Sequence, residues 1–406
     1  MIRKALTFCL FLFLINQSFA NEKNRWFYST TMTFSQATIE NGVILSKTTN
    51  PNAVREQICQ QLHFAIGQLN ATSSAPALGS TLKIELNDVK PAGEDLHRIE
   101  YRATFLVGLG NAHPLSQSVE LIIPGRADSE GIQQFYATYV KSCGLAYEEG
   151  VDTFFFYFRP DKPTCTVRTD PQAPFIVRIP MSLAPIAFSV PHVVPRYETV
   201  WADRTLRATL YFEKTHPKLP SGGDEFYTLL TQAYGTPLRT STVDYGDFKF
   251  VRAFFKTLPG NLDVSIFNIT KGNAKTLGRG KRFLRFLYRS MRHSDLIAYN
   301  GHSGYGKKVR NFAELVSHYS SNRYKLVYLN GCDTFSYINN SLFKSRTQMD
   351  VITTGLAAYV TQMPAYSLQL IQSLIEKKDK FDELLAKIPL GSPALMGNQP
   401  PGAVTK

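Results

Sequence analysis

Two residues able to do nucleophilic chemistry stand in matching settings. Leu296-Ile297-Ala298-Tyr299 leads into Asn300-Gly301-His302, and Leu326-Val327-Tyr328-Leu329 leads into Asn330-Gly331-Cys332. In each, a short apolar run ends at Asn-Gly and the next side chain can move a proton or attack carbon. A thiolate is a strong nucleophile, and an imidazole within reach can take or return its proton. The chemistry this pairing could do is acyl transfer through a cysteine.

The elements that must position the two residues follow from periodicity. Between the runs, Val309, Phe312, Ala313, Leu315 and Val316 recur at helical spacing, which predicts a helix over 309–321. Strand, helix, strand is the βαβ pattern, so the runs should be parallel neighbours in one sheet, about 4.8 Å apart. His302 and Cys332 then lie beyond the carboxyl ends of adjacent strands, where open α/β sheets bind ligands. Each follows a glycine that lets the backbone turn sharply. Gly304 and Gly306 loosen the chain after His302, where amide groups could face an oxyanion.

Around this stretch the alternation is regular. Strands are expected over 206–212, 248–255, 262–269 and 350–353, and helices over 224–234, 277–291 and 367–375. Such alternation predicts an α/β domain with a three-layer, largely parallel sheet over 197–390. The tail 391–406, with Pro393, Pro400, Pro401 and Gly402, is expected to be disordered.

The half before it is patterned differently. Helices are expected over 53–69 and 132–140, and strands over 81–86, 99–107 and 119–123. Trp26 to Phe34 reads as one extended run and Thr153 to Phe158 as an aromatic strand. This is an α+β domain over 21–170, and it carries no chemical signal: His63, His97 and His113 have no ligand spacing. Eight prolines from Pro160 to Pro195 predict an extended linker over 171–196.

The first 20 residues have the make-up of a signal peptide: Arg3 and Lys4, an apolar run from Ala5 to Ile15, and Ser18-Phe19-Ala20 for cleavage. The run is short for a retained bilayer anchor. No transmembrane segment is expected in the mature chain, which should be exported, periplasmic or secreted. Loss of Arg3 and Lys4 takes the formal charge from +13 to +11, a balance that favours acidic partners. Export argues against nucleic acid as that partner. Arg279, Arg282, Arg285 and Arg289 follow steps of three and four on the expected helix over 277–291. They form either a solvated outer face or a strip for acidic surfaces.

Cys59, Cys143, Cys165 and Cys332 remain after cleavage. In an oxidising compartment a bridge between Cys143 and Cys165 is expected. Cys332 is then the working thiol and Cys59 a buried small apolar group.

The stretch Tyr299-Asn300-Gly301-His302-Ser303-Gly304, followed by helix, strand and Leu329-Asn330-Gly331-Cys332-Asp333, resembles the caspase-like clan of cysteine peptidases. That clan includes gingipain, legumain, clostripain and separase. The resemblance covers about 197–388. It implies peptide-bond hydrolysis by a His302–Cys332 dyad, a polypeptide substrate, and neither cofactor nor metal. Asn300, Ser303, Gly304 and Asp333 would support the site or the oxyanion. Family members usually carry glycine directly after the histidine; here Ser303 intervenes.

Three other readings compete. An inactive member would keep the scaffold for binding or an envelope role. Gly301-His302-Ser303-Gly304 is near a serine-hydrolase elbow, but Tyr305 stands where glycine is needed and His318 is too close downstream. A zinc site from His302, His318, Cys332 and Asp333 lacks ligand spacing.

Overall fold

The computed structural model describes residues 26–28, 32–93, 95–110, 117–146, 150–171, 173–186, 194–214, 221–269, 281–319, 323–338, 349–356, 358–377, 379–386 and 401–405. The signal peptide, His113 and Arg279 lie outside these residues. Two compact units divide the chain, one over 32–187 and the other over 23–31 with 188–406.

The first unit is an antiparallel sheet with helices. Strands β2 (Met32–Ser46), β3 (Ala75–Pro76), β5 (His97–Gly110), β6 (Ser118–Pro124) and β7 (Ile176–Pro185) run in the order β3-β5-β2-β7-β6, and β4 (Lys83–Pro91) pairs with β5. Helix α1 (Pro51–Asn70) is capped by the Asn50 side chain, which accepts from the Asn52 and Ala53 N–H groups. Its buried face includes Val54, Ile58, Leu62 and Ile66, at the four-residue spacing of the sequence. His63 is a satisfied core histidine, with Nδ1 2.6 Å from the Cys59 carbonyl. Helix α2 (Leu78–Thr81) is a single turn, and α3 (Ser129–Cys143) ends at the bridge between Cys143 and Cys165, whose Cα atoms are 4.5 Å apart. Cys59 is buried and stands outside that bridge.

Two expectations for this unit are corrected. The aromatic run 153–158 is not a strand: α4 (Phe154–Tyr157) is one helical turn. Phe154 and Phe158 are both buried and both meet Phe64 and Phe135 edge-on or tilted. Burial at i and i+4 is a helical period, which the uniform aromaticity hides. Within the expected linker 171–196, residues 176–185 are strand β7. Pro180 lies where β7 pairs with β6 alone, and Pro185 is its last residue, both places a strand admits proline.

Among the described residues, the second unit is mixed α/β around a nine-stranded sheet. Its order is β1-β15-β14-β13-β12-β8-β11-β10-β9. The strands are β1 (Trp26–Tyr28), β8 (Thr205–Phe212), β9 (Arg239–Asp244), β10 (Phe248–Lys256), β11 (Asn261–Ile269), β12 (Leu296–Asn300), β13 (Lys325–Asn330), β14 (Met349–Thr354) and β15 (Pro401–Thr405). Only the centre, β11-β8-β12-β13-β14, is parallel. The expectation of a largely parallel sheet is corrected at both edges. There β9, β10 and β11 pair antiparallel, as do β14, β15 and β1. The turn from β10 to β11 is too tight for a crossover helix, so that pair must be a hairpin.

The terminal expectations change with it. Trp26–Tyr28 belongs to this sheet through β15, not to the run that continues into β2. In the tail expected to be disordered, Pro401–Thr405 pairs with β14, and its one proline falls at the strand's first residue. Helices cover both faces. The helices α5 (Tyr197–Val200), α6 (Gly222–Tyr234), α10 (Met363–Glu376) and α11 (Phe381–Ala386) supply Val200, Phe226, Leu370 and Leu384 to one core. Leu206, Ala208, Leu296, Ala298, Leu326 and Tyr328 are the strand side of that core. On the other face, Phe283 from α7 (Lys281–His293) and Phe312 from α8 (Lys307–Tyr319) meet Tyr211, and Phe312 also meets Tyr299. Phe283, Leu287 and Met291 of α7 are buried while Arg285 and Arg289 are exposed, so the helix separates its faces; Arg282 also lies on α7. Among the described residues no helix is long and apolar enough to cross a membrane.

Candidate active site

The register of β12 and β13 sets the site. Asn300 is paired with Asn330 at the carboxyl ends of these parallel strands, so His302 and Cys332 each stand two residues beyond a matched pair. The Asn330 Nδ2 donates to Asn300 Oδ1 at 2.9 Å, and Ser367 Oγ of α10 donates to the same oxygen at 3.0 Å. The repeated asparagine is thus a buried tie between the two tips. The Gly301 N–H then donates to the Asn330 carbonyl at 3.1 Å, continuing the ladder by one bond.

The two glycines are required by close approach. A Cβ on Gly331 would stand 2.7 Å from the Gly301 carbonyl oxygen, and one on Gly301 would stand 2.7 Å from the Glu213 Cβ. Any side chain there would push the tips apart.

His302 is exposed and held through its backbone. Its N–H donates to Glu213 Oε2 at 3.1 Å, and its carbonyl accepts from the Tyr299 hydroxyl at 2.6 Å. Burial first, then the Glu213 carboxylate, holds the Tyr299 phenol well above its ordinary range, so the hydroxyl stays protonated and able to donate. The chain after His302 turns left-handed at Gly304, Tyr305 and Gly306. Ser303 is buried, and its carbonyl accepts from the Lys308 N–H at 3.1 Å. That bond helps to start α8.

Cys332 is half-buried at the far tip. Its Sγ lies 3.8 Å from the Ala358 carbonyl oxygen, a weak hydrogen bond. Burial, followed by the charge of Asp333, pushes its thiol up to about 11. The resting sulfur is therefore protonated at neutral pH. Asp333 is fully buried in the left-handed region at φ 51°, uncommon for a residue with a side chain. Such strain is stored where surrounding contacts over-determine it. Here the Asp333 N–H donates to the Leu356 carbonyl at 3.1 Å, and Thr334 Oγ1, in the single turn α9 (Thr334–Tyr337), donates to the Leu329 carbonyl at 2.8 Å.

His302, Cys332, Asn300, Ser303, Gly304 and Asp333 thus all belong to one end of the β12–β13 pair. The Asp333 carboxylate raises the Cys332 thiol and so disfavours its thiolate. Among the described residues no group of three or more His, Cys, Asp or Glu is placed to hold a metal.

Sequence reasoning missed Glu213 and Tyr299. Glu213 directly follows β8, the strand beside β12, so its place past a carboxyl end was the available signal. Tyr299 read as one more apolar strand residue. No family model matches the chain, and no curated protein sequence matches it.

Proposed function

We propose that the chain is an exported cysteine peptidase with a caspase-like layout, cleaving polypeptides through Cys332 and His302. The observation that carries this reading is the Asn300–Asn330 register, which sets an imidazole and a thiol at matched points past adjacent parallel strands. The βαβ unit β12–α8–β13 supports the caspase-like layout, and the Cys143–Cys165 bridge supports an oxidising compartment. The exposed Arg285 and Arg289 support an outer face that tolerates acidic surfaces.

In this reading His302 takes the Cys332 proton as the sulfur attacks the scissile carbonyl carbon. A carbon–sulfur bond forms and the carbonyl electrons move to oxygen. Collapse of that oxyanion breaks the carbon–nitrogen bond, and the leaving amine takes the proton from His302. Water, deprotonated by His302, then attacks the thioester, and the returning proton regenerates the thiol. Backbone N–H groups around Ser303 and Gly304 are the candidates for the oxyanion.

A specific observation favours a second reading, a scaffold that binds without cleaving: the thiol is pushed up to about 11. A peptidyl acyloxymethyl ketone tests the two. A peptidase is labelled on Cys332; the label is lost in Cys332→Ala and greatly slowed in His302→Ala. Equal labelling of wild type and Cys332→Ala would leave the binding scaffold.

A further inference from the structure

Glu213 divides its two carboxylate oxygens between different tasks. Oε2 accepts the His302 N–H at 3.1 Å, and Oε1 pairs with the Lys308 Nζ. Its own N–H donates to the Asn300 carbonyl at 2.9 Å, so the residue is fixed to β12 before its side chain reaches the loop. Lys308 closes the loop from the other end. Its N–H reaches the Ser303 carbonyl, and its stem lies against Gly304, whose Cβ would stand 2.7 Å from the Lys308 Cγ. The pair is largely withdrawn from water, with 6% of the Glu213 and 19% of the Lys308 side chain exposed. A buried ion pair gives little stability over an apolar pair of the same shape, because both charges lose hydration. An apolar pair could not hold the His302 N–H. What the charges provide is a defined backbone position for His302.

We infer that Glu213, held by Lys308, is a positioning residue for His302, fixing the loop 301–306 so that the imidazole meets the Cys332 thiol. The inference rests on the proposed dyad. Glu213 touches neither the sulfur nor a substrate in this scheme; it acts through the peptide N–H of His302.

The test uses the full-length protein, a peptidyl acyloxymethyl ketone and, as a small reagent that needs no histidine, iodoacetamide. Glu213→Gln keeps the shape and removes the charge. Lys308→Met, at a partly exposed side chain, carries the same test if the first variant fails to fold. Displacing a reacting group by a fraction of an ångström should slow labelling at saturation by about 10- to 100-fold. The concentration for half-saturation and the iodoacetamide rate on Cys332 should stay near wild type. In a His302→Ala background neither variant should slow the ketone further, because the positioned group is gone. A merely structural role would instead lower the melting temperature and leave the labelling rate intact. Normal ketone labelling in both folded variants, with His302→Ala slow, overturns the positioning role and leaves the dyad standing. Ketone labelling indifferent to His302→Ala overturns the dyad and this inference with it.

Discussion

The ionisation of Cys332 is the property on which the chemistry turns, and the structure gives it a magnitude. Burial and the Asp333 carboxylate raise the thiol from an ordinary 9.0 to about 11. At pH 8 about one sulfur in a thousand is then thiolate, against about one in eleven for an ordinary thiol. A more basic thiolate is intrinsically more reactive, which returns about eightfold for two units at a Brønsted slope near 0.45. Cys332 should therefore be alkylated by iodoacetamide about tenfold more slowly at pH 8 than an ordinary half-exposed thiol. Its rate should still be climbing at pH 10, rising about fivefold between pH 10 and 11. The assay is peptide-resolved alkylation from pH 6 to 11, with buried Cys59 as an internal control for unfolding. Asp333→Asn removes the second cause and should move the profile to lower pH, short of the ordinary value because burial persists. A wild-type profile that levels off by pH 7 would refute the reasoning, since a positive partner would then outweigh burial and Asp333.

Other consequences follow from the same geometry. Burial raises the Asp295 carboxyl from 3.8 to about 6, against the lowering effects of the Arg207 N–H and the charges of Arg323, Arg207 and Lys325. A raised carboxyl means the folded chain holds a proton the unfolded chain has lost. The stability it contributes is present below about pH 4 and gone above about pH 6. Wild type should lose about 3 kcal/mol relative to Asp295→Asn across that window, read by urea unfolding with the fluorescence of Trp26 and Trp201. A difference that does not move with pH would contradict it. Gly301→Ala would set its methyl 2.7 Å from the Glu213 Cβ and 2.9 Å from Oε2. It should destabilise the α/β unit by about 1–3 kcal/mol in a thermal melt and abolish ketone labelling. Replacing Cys143 and Cys165 by alanine opens a cross-link across 22 residues and should cost the first unit about 3 kcal/mol by circular dichroism.

Much of the site's scaffold could be read from the chain because its signals are local. β12, α8 and β13 are each announced by an unbroken apolar run or a helical period, and the Asn-Gly repeats mark where they stop. What could not be read depends on partners far away in sequence. The exposed polar run Arg239–Asp244 becomes a strand only because β10 is there to pair with it. β15 likewise needs β14, and its proline and glycine locally favour a turn. Phe154 to Phe158 is apolar throughout, so only the packing of Phe64 and Phe135 distinguishes helix from strand. Glu213 fails in the same way. Its place just past β8 marks the carboxyl end of the sheet, but the histidine loop that buries the carboxylate lies 89 residues on.

The most direct test is labelling by the peptidyl ketone followed by peptide mapping, with wild type, Cys332→Ala and His302→Ala side by side. The account predicts one modified site, at Cys332, in wild type, none in Cys332→Ala, and greatly slowed modification in His302→Ala. Modification of Cys332 at an undiminished rate after His302 is removed would contradict it.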